Sequence, residues 1–260
     1  MRPTPSSTTH LHLLSAINTE SQGLNHFRIL DVGCGTGKMI AYFVASFPEL
    51  RPEAEVEVFG VDVTSVGFDN AEGFYPSTEN IKVVEPGVPW PYPDDYFDFV
   101  VSNQVLEHVK DAEFFFSQIY RVMREGGVSY HVFPLKNCIM EVHVRVPFAH
   151  WFLDHDAQMK WIRWMQWLSR TGRTAEDAAD SLLYYTHYRS CTEILSVVKR
   201  AKLRPSFRYT PQYYATKLRS VINLKPHDLY RGRRCSWMTR KLLSYASSIT
   251  LRAEKKNVHR

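Results

Sequence analysis

Short apolar runs alternate, along the first half of the chain, with stretches whose apolar residues recur every three or four positions. Ile29–Val32 reads as a buried strand and Lys38–Phe47 as a helix closed by Pro48. Val56–Val63 (VEVFGVDV), Ile81–Val84, Phe97–Ser102 (FDFVVS) and Val128–Phe133 are rich in β-branched and aromatic residues and read as four further strands. Ala112–Met123 has helical spacing, with Gly126 and Gly127 of REGG as its stop signal. Residues 1–25 are polar apart from one short helix expected around Leu11–Ile17. Strands alternating with helices imply βαβ units, hence an α/β fold with a parallel sheet covered on both faces.

After the fifth strand the pattern changes. Residues 134–188 read as a helical insertion, carrying the Trp-rich MKWIRWMQWL and the alanine-rich TAEDAADSLL. The segment CTEILSVVKRAKL then resumes a helical period, and RPSFRYT reads as a strand. RKLLSYA suggests a last helix, and the alternation in SSITLRAEK a last strand. With no repeat or low-complexity linker, residues 1–260 are expected to form one domain. Its parts are an N-terminal segment (1–25), the insertion (134–188) and a C-terminal part (189–260).

Composition narrows the class. A chain of 260 residues that is 44% hydrophobic and 23% charged can bury a large core, which argues against disorder. No apolar run approaches the roughly 18 residues of a membrane span, and MRPTPSSTTHLHLLSAINTE does not read as a signal peptide. Cys34, Cys138, Cys191 and Cys235 are far apart, so a reducing, cytoplasmic setting is expected. Charge is unevenly placed. From Arg189 onward 18 Lys/Arg face only Glu193, Asp228 and Glu254. A basic C-terminal third suits an anionic partner such as a phosphorylated glycan carrier, a membrane surface or RNA, and is equally a solvated surface.

The chemistry concentrates first in Ile29–Ile40, ILDVGCGTGKMI. A triphosphate loop needs its first glycine where Val32 stands and a hydroxyl where Met39 stands. A dinucleotide fingerprint needs a third glycine at Lys38. What remains is Asp31-x-Gly33-x-Gly35-x-Gly37, an acid ahead of three alternate glycines. A carboxylate there would be a cost beside phosphates but favours a cationic ligand.

This loop resembles the first motif of class I S-adenosylmethionine-dependent methyltransferases, and three further segments follow in that family's order. VFGVDVT is similar to its second strand, WPYPDDYFDFVVSNQVLEHVKD to the segment around its fourth, and IYRVMREGGVSYHVFP to its fifth strand and preceding helix. The resemblance implies a Rossmann-like, seven-stranded, mostly parallel sheet and S-adenosyl-L-methionine as cofactor. It implies that Asp31, Gly33, Cys34, Gly35 and Gly37 line the cofactor, that Asp62 accepts from both ribose hydroxyls, and that Val63 beside it also contacts the cofactor. Asn103 falls beside the methionine portion and Glu85 near the adenine, although EPG replaces the family's usual DA there.

The acceptor side is read from EVHVRVPFAHWF, Glu141–Phe152, which resembles an E-x-H-x-x-x-P-F-x-H-W pattern in bacterial methyltransferases of sugar and polysaccharide biosynthesis. His143 and His150 are the candidate general bases, because imidazole titrates near neutrality. The expected acceptor is a small hydroxylated molecule such as a sugar, glycan or lipid-linked sugar. In QVLEHV, Gln104 stands where some quinone and RNA methyltransferases carry the first acid of a magnesium-holding Glu-x-x-Glu-His, so no metal is expected. Trp161, Trp164 and Trp167 form a stripe that either packs on the core or presents aromatic faces to an acceptor. Arg231, Arg233 and Arg234 suit a phosphate or a plain surface turn. Nucleic acid is not expected as substrate, since no RNA-binding module is recognisable. An RNA methyltransferase and a non-catalytic, cofactor-binding subunit are the alternatives.

Overall fold

The computed structural model describes residues 7–64, 80–166, 172, 174–222, 245 and 247–256. Among these residues seven strands form one sheet: β1 (His26–Val32), β2 (Glu55–Asp62), β3 (Ile81–Val83), β4 (Phe97–Asn103), β5 (Met123–Pro134), β6 (Leu203–Ser206) and β7 (Ser248–Lys255). Their order is β3-β2-β1-β4-β5-β7-β6. The first five strands run parallel, while β7 pairs antiparallel with both β5 and β6. The expected sheet is therefore present, with the reversed strand inserted one place from the edge.

Alternation along β1 explains the two layers. Phe27 and Ile29 point to one face, where α1 (Thr8–Glu20), α2 (Lys38–Leu50) and α7 (Thr210–Ile222) supply Leu13, Ile17, Phe43, Phe47 and Tyr213. Leu30 and Val32 point to the other, against Phe115, Phe116 and Ile119 of α3 (Ala112–Val122) and Ile194 and Val198 of α6 (Cys191–Arg200). The insertion contributes α4 (His155–Trp164) and α5 (Ala175–Tyr185), which share a small core of their own built on Val144, Val146, Ile162, Ala179 and Leu182.

Several boundaries differ from the sequence reading. The first helix runs a full 13 residues because Ser7 caps it and its polar residues His10 and His12 are buried rather than exposed. Pro48 does not close α2 but sits in its last turn, where it lacks the amide that would donate to the Val44 carbonyl, and the N–H of Arg51 ends the helix on the Phe47 carbonyl at 2.7 Å. Gly126 and Gly127 do not cap α3. Met123 is already extended, and the glycines lie in an irregular stretch of β5 where the register against β4 jumps from Phe97↔Met123 to Phe99↔Val128. A Cβ on Gly127 would come within 2.8 Å of the Arg124 carbonyl oxygen, which explains the glycine there. The sequence reading missed α7 altogether. The RKLLSYA segment, Trp167, Cys235 and the arginines of YRGRRCSW fall largely or wholly outside the described residues.

Candidate active site

Because β2, β1 and β4 are parallel neighbours, their carboxyl ends share one edge of the sheet, where open α/β folds hold their ligands. Polar groups gather there. Gly33, Gly35 and Gly37 follow β1 with φ of +69°, +52° and +67°, a left-handed run that side chains resist. The Gly33 N–H donates to the Val61 carbonyl at 2.7 Å, so the loop leaves the sheet only after its last ladder bond. A Cβ on Gly33 would lie 2.3 Å from Val105 Cγ2, and one on Gly35 would meet nothing within 4 Å. The loop is thus pressed against the β4 exit at Gly33 and open at Gly35.

The two acids differ sharply. Asp62 Oδ2 accepts from the Gly35 N–H at 2.7 Å and Oδ1 from the Thr64 N–H at 3.1 Å. A carboxylate has about four acceptor positions, so capacity remains for hydroxyl donors. Asp31 is 1% exposed and neither of its oxygens has a hydrogen-bond partner among the described residues. Burial, and then the nearby Asp62 charge, push its carboxyl well above the ordinary range. Asn103 Oδ1, at the tip of β4, is likewise buried without a partner. Cys34 is buried under the loop, and burial followed by the charges of Asp31 and Asp62 drives its thiol up, which makes it inert. Val63 is exposed, and Glu85 lies exposed just past the Val84 N–H that donates to the Asp62 carbonyl at 2.9 Å.

A second cluster stands beyond Val105. Gln104 takes φ +55° and turns the chain out of β4, its amide held by Ser248 Oγ at 3.1 Å. Glu107 follows in a tight turn, 1% exposed, with no hydrogen-bond partner on either oxygen among the described residues. Burial raises its carboxyl to about 7. His143 arrives from the insertion, with its Nε2 3.2 Å from His108 Nε2 and 3.9 Å from Glu107 Oε1. Its orientation is fixed by Glu141, which is fully buried and accepts from His143 Nδ1 at 2.7 Å, from the His143 and Val144 amides at 2.8 and 2.6 Å, and from the Tyr188 hydroxyl. Burial alone would raise the Glu141 carboxyl, but these donors, His143 first, hold it below its ordinary range and keep it ionised.

His150 is placed differently. Its ring is buried, Nε2 donates to the Lys136 carbonyl at 3.0 Å, and the ring packs 4.6 Å from that of Tyr188. Burial holds it below the usual imidazole range. The two histidines singled out by spacing therefore do not converge. His143 joins His108 and Glu107, while Glu141 and Tyr188 complete the group. Tyr188 carried no sequence signal, and His108 lies in a turn. Arg189 binds the turn to the insertion by donating to the carbonyls of Leu106, Val109 and Lys110 at 3.1, 2.6 and 2.9 Å. Of the tryptophan stripe, Trp161 packs in the insertion with its indole donating to the Pro147 carbonyl at 2.7 Å, whereas Trp164 is 67% exposed.

Comparison with known proteins agrees with this geometry. Residues 30–130 match the family model described as a methyltransferase domain. An uncharacterized methyltransferase of Schizosaccharomyces pombe is 34% identical over 109 residues, 38% of this chain and 37% of that protein. A ubiquinone biosynthesis O-methyltransferase of Rhizobium rhizogenes is 30% identical over 110 residues, 41% of each chain. The chain thus spans about two-fifths of the length of these curated relatives. Among solved structures, an S-adenosylmethionine-dependent methyltransferase from Mesorhizobium loti aligns with a TM-score of 0.53 at 16% identity, covering 96% of this chain and 100% of that one. Residues 30–130 therefore match the methyltransferase-domain family model, and the chain has the fold of class I S-adenosylmethionine-dependent methyltransferases.

Proposed function

We propose that the protein transfers the methyl group of S-adenosyl-L-methionine to a hydroxyl of a small acceptor, with a sugar or glycan precursor as the first class to examine. The observation that carries the cofactor half is Asp31, a buried carboxyl without a hydrogen-bond partner among the described residues, beside a left-handed glycine loop. Such a group becomes favourable as a carboxylate when an ammonium or sulfonium cation lies beside it, whereas a phosphate would only add to the charge that already disfavours its ionisation. Asp62 retains acceptor capacity for the ribose hydroxyls, and Asn103 Oδ1 offers a further acceptor to the ammonium group. The cofactor supplies a methyl group on a good leaving group, so the protein's task is alignment, an effect worth up to roughly 7–11 kcal/mol in favourable intramolecular models.

A hydroxyl acceptor must also lose its proton. Of the two candidate histidines, His143 belongs to the reacting side, because Glu141 orients it and its Nε2 is directed toward the polar cluster rather than a backbone carbonyl. His150 is assigned to packing. In the proposed reaction the acceptor oxygen forms the O–C bond as the C–S bond breaks, and the sulfonium becomes a neutral thioether.

The basic cleft of about 600 Å³ lined by Lys199, Lys202, Arg204 and Lys256 would be the natural support for an RNA acceptor. It sits where β6 begins and β7 ends, the edge opposite the carboxyl ends of β1, β2 and β4. A polyanion held there would not lie over the glycine loop, which favours the small-molecule reading. The test is label transfer from methyl-labelled cofactor to pools of sugars, nucleotide sugars and phenolics. Labelled product from the wild type, lost in His143→Ala while affinity for S-adenosylhomocysteine is unchanged, is the expected outcome. Equal labelling by both proteins would refute the assignment of His143.

A further inference from the structure

We infer that Glu107, His108 and His143 form a site for one divalent transition-metal ion at the mouth of the acceptor side. This departs from the expectation of no metal drawn from Gln104. One oxygen or nitrogen from each residue lies within 4.8 Å of the others. The tautomers follow from the outer partners. His108 Nδ1 lies 2.7 Å from the Tyr185 carbonyl, which only accepts, so Nδ1 carries the hydrogen. His143 Nδ1 lies 2.7 Å from a Glu141 carboxyl that also accepts from two backbone amides and the Tyr188 hydroxyl, so it carries the hydrogen as well. As neutral imidazoles, both rings therefore direct an Nε2 lone pair at one another across 3.2 Å.

Two lone pairs and a carboxylate converging on one point repel unless something positive lies between them. A metal ion relieves all three. Tetrahedral coordination with bonds of about 2.1 Å sets two ligand nitrogens roughly 3.4 Å apart, close to the 3.2 Å found here. The carbonyl and carboxylate behind the two histidines are the outer partners that fix tautomer and ring orientation at metal centres. Glu107 adds an independent sign: a buried acid aimed at the point, with no hydrogen-bond donor among the described residues. Gln104, tied to Ser248, takes no part, and His143 supplies the third ligand from a loop 35 residues further on. Two imidazoles and one carboxylate suit zinc, manganese, cobalt or iron(II) better than magnesium or calcium, which prefer all-oxygen sets.

His108 is exposed, so at least one coordination position opens toward solvent. An acceptor hydroxyl bound there would lose its proton to solvent water near neutral pH, as metal-bound water does, and His143 would act as ligand rather than base. That role rests on the methyl-transfer reading, whereas the ion site rests on its ligands alone.

The experiment is titration of the chelator-treated full chain with Co²⁺, followed by visible absorption, and with Mn²⁺, followed by electron paramagnetic resonance. One saturable site per chain is expected, weakened at least tenfold in Glu107→Gln and in His108→Gln, the latter at an exposed position that leaves the core untouched. His26→Ala, a surface histidine paired with Glu57, should bind as the wild type does. Absence of a saturable site, or equal binding by all variants, would overturn the inference. Calorimetry with S-adenosylhomocysteine on the same samples separates this from the cofactor reading, since a metal-free chain that still binds the thioether refutes only the ion.

Discussion

The Asp62 carboxylate accepts the Gly35 amide at 2.7 Å, so the acid at the end of β2 also holds the shape of the glycine loop after β1. Asp62→Ala therefore removes a ligand group and a loop support together. A charged acceptor is worth about 1.5–3 kcal/mol, so cofactor affinity should fall at least tenfold, with Asp62→Asn losing less. Calorimetric titration of the three proteins with S-adenosylhomocysteine checks this. Equal affinities would exclude Asp62 from the site.

Gly33 and Val105 are in steric competition. In Gly33→Ala the new methyl would lie 2.3 Å from Val105 Cγ2, on a backbone at φ +69°. The left-handed conformation alone costs about 1–2 kcal/mol for a side-chain-bearing residue. The single variant should melt lower and bind the cofactor poorly. The double variant Gly33→Ala with Val105→Ala should recover part of both losses. No recovery would mean that backbone strain, not the contact, dictates the glycine.

Two buried histidines give the fold a pH dependence of its own. His12 bonds Thr250 Oγ1 at 3.1 Å and His131 bonds Ser102 Oγ at 2.8 Å, and burial lowers both to about 3. Each folds as a neutral ring, whereas the unfolded chain takes up a proton at about 6.5. Their stabilisation is complete above about pH 6.5 and declines as pH falls toward 3, by about 1.4 kcal/mol per pH unit for each. The buried carboxyls of Asp31 and Glu107 work in the opposite sense. The difference between proteins isolates the histidine. The drop in Tm from pH 7.5 to 5.0 should be smaller in His131→Gln than in the wild type, and an identical drop would contradict a neutral buried His131.

Arg189 fastens the turn that carries Glu107 and His108 through three carbonyls. Replacing it by Met keeps the stem and removes the donors. Amide exchange of residues 105–110 should accelerate at least tenfold while α1 and α2 keep their protection. Unchanged exchange would show that the turn holds itself.

How much of this was legible beforehand depended on what kind of signal each feature leaves. Strands β1, β2, β4 and β5 announce themselves through unbroken β-branched and aromatic runs, since strands buried on both faces need no polar alternation. The glycine loop and the strand-tip acids are local in sequence and were read directly. Helix α7 escaped because its inward residues are Thr210, Tyr213 and Thr216, which carry little apolar signal. The end of α3 was placed to within one residue, but Gly126 and Gly127 were misread as its cap because a glycine pair serves a sheet irregularity as readily as a helix end. The ring of His143, His108, Glu107, Glu141 and Tyr188 joins three segments up to 81 residues apart, and only the tertiary fold brings such residues together.

The central claim, a site shaped for a sulfonium cofactor, is tested most directly by isothermal calorimetry of the unmodified chain against S-adenosylmethionine, NAD⁺ and Mg²⁺–ATP at equal concentrations. Saturable one-to-one binding of S-adenosylmethionine alone is the result expected from Asp31 and the three glycines. No heat with S-adenosylmethionine, or tighter binding of either phosphate-bearing ligand, would contradict it.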